Sequence, residues 1–195
     1  MATLAIGNID WKNGQINPSG IVPIAYRIAK SDITSWPTIE DDPEKAATVG
    51  ALVNYTGDFV LAVGKKWEKI YSTQGKGKAT FEPVGETDMV SYINKGSLSF
   101  PDLTDEVRAY AKVAANGDYV YIIHTPNGRY HVIGNQDMRV KSSFSGDTGD
   151  ATGSAKGVTI TLEVPDNTPL PLYTGDLVTS DGTLDIATKV FTPAV

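Results

Sequence analysis

Between residues 158 and 164 hydrophobic and polar positions alternate without a break. Val158, Ile160, Leu162 and Val164 fall on one side and Thr159, Thr161 and Glu163 on the other. A period of two describes an antiparallel strand with one buried and one wet face. Residues 99–135 change period part-way. Leu103, Val107, Tyr110, Ala111 and Ala114 recur at helical spacing, which predicts an amphipathic helix over 102–115 whose apolar face packs on a sheet. Asp102 or Thr104 can cap it, Asp105 and Glu106 suit the positive end of its dipole, and Asn116-Gly117 stops it. Two apolar runs follow, 119–125 and 129–134, joined through Pro126-Asn127-Gly128 as a hairpin.

Other segments read as short strands between turns: 21–29, 59–63, 67–73, 79–84, 89–93 and 139–145. Residues 3–9 form a possible first strand, 46–53 fit either helix or strand, and 40–44 read as an acidic exposed turn. Pro165, Pro169 and Pro171 mark an extended connector. Asp181-Gly182 centres a terminal hairpin, so the chain divides into a β domain over 1–173 and a C-terminal extension over 174–195. The fold class is mainly β: an antiparallel β-sandwich or half-open barrel flanked by one α-helix.

Composition narrows the chemistry. The 195 residues can bury roughly 70% of the surface of the unfolded chain, enough for a core without staples. There is no cysteine, hence no disulfide or thiolate chemistry. Seventeen basic and 23 acidic residues give a net charge of −6, which argues against general attraction to nucleic acid or anionic lipid. The opening MATLAIGNIDWK lacks the pattern of a signal peptide, and no run is long enough to span a membrane.

Few residues suggest a reaction. A two-residue Asn127-Gly128 loop would set His124 opposite His131, within reach of one ion, but no third ligand is near; a cross-strand polar pair is the simpler reading. The Gly75–Thr80 stretch lacks phosphate-loop spacing, and Asp147 and Asp150 lack calcium-loop spacing. Asn54-Tyr55-Thr56 is a glycosylation sequon that reads as a turn. No nucleophile, base and acid converge, so no catalytic, cofactor or metal residues are assigned and no enzyme is expected. Trp11, Trp36 and Trp67 could stack on sugars or fill the core. Two stretches remain as candidate contact surfaces. One is the polar loop Gly146, Asp147, Thr148, Gly149, Asp150, Ala151, Thr152, Gly153, Ser154, Ala155, Lys156 and Gly157, too polar to fold on itself and longer than adjacent strands need. The other is a basic cluster of Lys65, Lys66, Lys69, Lys76 and Lys78, read either as a solvated hairpin end or as half of a charge-complementary subunit contact.

The order of motifs over residues 20–173, four-fifths of the chain, resembles phage major tail tube proteins of Bacteroidetes-type hosts. Ile24-Ala25-Tyr26-Arg27-Ile28-Ala29 leads into Ser31-Asp32-Ile33 and Pro37. Gly57-Asp58-Phe59 and Gly64-Lys65-Lys66-Trp67 follow, then the run from Gly77 to Gly85. Asn127-Gly128-Arg129-Tyr130, Val132-Ile133-Gly134, the Gly-rich loop and the alternating strand to Glu163 complete the set. The resemblance implies homohexameric rings whose inner strands join into one β-barrel. Rings would stack into a virion tail tube that meets other tail proteins at its ends. It would be assembled in the host cytoplasm, without a membrane, and would pass DNA through an acidic lumen without sequence-specific binding. A tube of a contractile injection system shares that fold. A carbohydrate-binding or adhesive β-sandwich is the alternative, resting on the Trp and Tyr content.

Overall fold

Fourteen strands, one α-helix and two short 3-10 turns account for the regular structure of the computed structural model, which describes residues 7–151, 154 and 156–194. Strands β1 (Ile24–Ala29), β2 (Ile33–Ser35), β3 (Val60–Leu61) and β4 (Glu68–Tyr71) come first. Then β5 (Lys78–Val84) and β6 (Ser91–Phe100) lead into the helix α1 (Asp105–Ala114). Next come β7 (Tyr119–His124), β8 (Tyr130–Ile133), β9 (Lys141–Asp147) and β10 (Gly157–Asp166). Last are β11 (Leu172–Tyr173), β12 (Asp176–Thr179), β13 (Gly182–Asp185) and β14 (Val190–Pro193). The fold is mainly β, with antiparallel sheets and a single helix, as the pattern of short apolar runs predicts.

Five strands form one sheet in the order β11-β8-β7-β1-β4, and four form a second in the order β5-β6-β10-β9. The central strand β7 is buried at four consecutive positions, Val120 to Ile123, so both of its faces are covered. Tyr121 and Ile123 join Leu98, Ile160, Leu162 and Val164 in a core shared with the four-stranded sheet. Val120 and Ile122 face the other way, into a second core with Tyr26, Phe59, Trp67, Leu177 and Ile186. Double coverage is why β7 reads as a continuous apolar run, while β10, wet on one side, alternates.

Residues 174–194 are woven into this second core. They form a three-stranded meander, β12-β13-β14, one strand more than the predicted hairpin. Leu177 is fully buried in it, and the Trp67 N–H donates to the Val178 carbonyl at 2.8 Å.

Three sequence expectations change. Residues 46–53 hold only a short 3-10 turn, Val49–Leu52. Of the possible strand at 3–9, residues 3–6 lie outside the described residues and 7–9 are not in a strand. The strand expected at 89–93 is β6, which runs on to Phe100. Its polar and glycine positions disguise it. Asn94 is fully buried, donating to the Thr168 carbonyl at 2.9 Å and accepting from the Leu170 N–H at 2.8 Å. Gly96 lies against the facing sheet, where a Cβ would sit 2.5 Å from the Ile133 Cδ1.

The helix docks as its periodicity predicts. Thr104 caps it, accepting from the Val107 N–H, while Leu103, Val107 and Tyr110 pack on the core between the sheets. The Tyr110 hydroxyl meets that of Tyr121 at 2.8 Å, and the Arg27 guanidinium stacks 3.6 Å above the Tyr110 ring while its Nε donates to Glu68 at 2.7 Å. Val107→Asp should therefore cost about 1–3 kcal/mol for the half-buried carboxylate, beyond the lost packing. Thermal melting reads this directly; an unchanged midpoint contradicts the docking.

Candidate functional site

The hairpin between β7 and β8 separates the two histidines. Thr125 N–H donates to the Arg129 carbonyl and Gly128 N–H to that of Thr125, each at 2.9 Å, and Gly128 takes a positive φ of 81°. That is a three-residue loop closed by a left-handed glycine rather than the two-residue loop expected. The one-residue slip pairs His124 with Tyr130 and His131 with Ile123, so adjacent register positions send the imidazoles to opposite faces. His124 instead stacks on Tyr130, ring centroids 4.1 Å apart. Burial lowers the pKa of both histidines, and Lys189 lowers that of His124 further.

The four-stranded sheet is the most distinctive surface. Among the described residues neither β5 nor β9 has an outer partner. The neighbours β5, β6, β10 and β9 are successively antiparallel, so the two free edges run in opposite directions. One face of this sheet closes the core; the other is wet. Cross-strand register builds that wet face in rows. Thr80, Lys95, Glu163 and Lys141 form one, and Lys78, Ser97, Thr161 and Ser143 another. Lys95 is ion-paired with Glu82. Lys78, Lys95 and Lys141 balance Glu82, Glu163 and Asp147, so the face is hydroxyl-rich and neutral although the chain as a whole is acidic. Net chain charge could not reveal this, because the excess of acid lies elsewhere.

The Gly-rich loop begins and ends inside this sheet. Gly146 and Asp147 belong to β9 and Gly157 to β10, and Asp147 pairs with Gly157. The strands it joins are direct neighbours, as expected, and the connection proper is 148–156. Thr152, Gly153 and Ala155 lie outside the described residues. Asp147 accepts from the Gly149 N–H, Ser154 donates to Asp150, and Lys156 reaches Asp102 at 3.3 Å. Gly157 has a φ of +144°, and a Cβ there would meet the Phe100 carbonyl at 2.2 Å, so only glycine opens this hairpin.

The lysines do not form one patch. Lys65 and Lys66 precede β4, whereas Lys76 and Lys78 follow it at the far end. Lys65 is paired with Asp32 at 3.1 Å and Lys69 with Asp181 at 2.5 Å. Lys66, Lys76 and Lys78 have no ion pair among the described residues. Among the tryptophans, Trp67 is core, Trp36 packs edge-on against Phe59, and Trp11 is exposed.

A concave site escaped the sequence reading. Trp36, Tyr55, Asp41, Asp137, Asp166 and Thr168 line an open cavity of about 400 Å³. Burial raises the pKa of Asp166, opposed by the Thr168 N–H that it accepts. These residues come from four distant segments, and nothing in their spacing announces them. Comparison with known protein families, curated proteins and solved structures finds no match.

Proposed function

We propose that the chain is a structural, non-catalytic subunit of a tail-type tube. Copies pair β5 of one with β9 of the next, so that the four-stranded sheets join into a continuous closed barrel. The observation that carries this reading is an even-stranded antiparallel sheet with two unpartnered edges of opposite direction. A rotated neighbour then presents β9 antiparallel to β5, and alternation persists across every joint. Head-to-tail contacts of this kind close into rings, and closure removes edges that would otherwise template aggregation. The neutral hydroxyl-rich face would line the lumen, giving DNA no cationic surface to adhere to. Six copies per ring, stacked rings, other tail proteins at the tube ends and a place in the virion tail follow from the resemblance.

In this reading the 148–156 connection reaches the next ring. Nine residues exceed what two paired strands need, and order gained over many repeated contacts offsets the entropy lost. Replacing residues 148–156 by Asn-Gly should leave circular dichroism and melting close to wild type while tube growth stops. Full-length tubes from that variant would make the loop a passive connection. Light scattering of wild-type protein over rising concentration tests the broader reading; a ring-sized species should replace the monomer.

A further inference from the structure

Residues 7–20 form an arm that the subunit does not cover. Every residue in it is exposed, without helix or strand. Ile9 is 94% exposed, Trp11 66% and Ile16 86%, an unusual density of apolar side chains in water. Lys12 is its one cation and has no ion pair among the described residues. Extended, fourteen residues reach on the order of 45 Å, far enough to cross to another subunit.

The cavity beside Trp36 has the complementary character. It holds three carboxylates, of Asp41, Asp137 and Asp166, and no basic residue among the described residues lines it. Tyr55 is 7% exposed and Thr168 5%, and neither hydroxyl makes a hydrogen bond among the described residues, so both stay open to the cavity. The buried Oδ2 of Asp166 has no partner among the described residues. A buried polar atom left unpaired is uncommon and costs stability until something pairs with it. Aromatic walls with carboxylates and no cation suit an ammonium on an apolar stem.

We infer that the arm of one copy seats in this cavity on a second copy, with Lys12 among the three carboxylates and Trp11 against Trp36. The inference rests on the tube reading, since that reading supplies the second copy. Within a ring or between rings, such an arm would strap neighbours together independently of the strand edges.

The test mixes ¹⁴N- and ¹⁵N-labelled protein at assembling concentration, treats it with a zero-length carbodiimide and maps the linked peptides. Lys12 should be joined to Asp41, Asp137 or Asp166 across light and heavy copies. Lys12→Gln and Asp166→Asn should each weaken self-association about tenfold or more, with the melting of the monomer unchanged. Links confined to one copy, or Lys12→Gln assembling at the wild-type concentration, would overturn the strap and leave the tube standing. Wild-type protein that stays monomeric at every concentration removes both.

Discussion

Phe59→Ala should lower stability by about 3–5 kcal/mol, the largest loss expected from truncating one side chain here. Phe59 is 5% exposed and sits amid four rings. Its centroid lies 5.2 Å from Trp36, 5.8 Å from Tyr55, 5.4 Å from Trp67 and 5.0 Å from Tyr173. The geometries are edge-on or tilted, which favours aromatic pairs beyond the area they bury. These rings arrive from distant parts of the chain, and Phe59 is the one member touching all of them. The Tyr173 hydroxyl extends the cluster, accepting from the Phe59 N–H at 3.3 Å and donating to the Asp176 carbonyl at 2.9 Å. Removing the ring opens a cavity that joins the 33–67 segments to the terminal meander. At roughly 2–4 °C per kcal/mol for a chain of this size, the melting midpoint should fall by about 10 °C. A fall of only a few degrees would mean that the layer is held by something other than this cluster.

That cluster also marks the limit of what the sequence discloses. Local periodicities survive into the structure, in the alternation of β10 and the apolar face of α1. They depend on neighbours in the chain, and a period of two or 3.6 records which side is dry. Pairing partners are another matter. Nothing local says that β1 lies between β7 and β4, or that Trp36, Tyr55, Phe59, Trp67 and Tyr173 converge. β6 was only half legible because its buried positions hold Asn94 and Gly96, each explained by a partner dozens of residues away. The histidine register failed on a single residue of loop length, the most sensitive quantity in any hairpin. For the candidate site, the loop was visible as a length anomaly. The free edges and the cavity were not, being properties of assembled sheets.

Phe81→Pro should abolish assembly while sparing the monomer. The Ser99 carbonyl accepts from the Thr73 N–H at 2.6 Å and its N–H donates to the Ser72 hydroxyl at 3.1 Å, both on the β5 side of β6. Backbone groups alternate sides along a strand, so Ser97, Lys95 and Ile93 also turn toward β5 and bond with Lys78, Thr80 and Glu82. Ala79, Phe81 and Pro83 therefore direct their backbone groups to the open edge, and Pro83, lacking an N–H, fits that side. Proline at 81 removes a donor that only a neighbouring strand could use. Its ring is 51% exposed, so the monomer loses little, on the order of 1 kcal/mol. Phe81→Ala keeps the N–H and should still assemble. Sedimentation velocity separates the cases: Phe81→Pro should remain monomeric where Phe81→Ala forms rings, and equal assembly by both would contradict pairing along this edge.

Negative-stain electron microscopy of concentrated wild-type protein should show hollow rings of six subunits and stacks of such rings, with class averages showing a continuous inner wall. A field of isolated monomers at every concentration and salt condition would contradict the tube assembly.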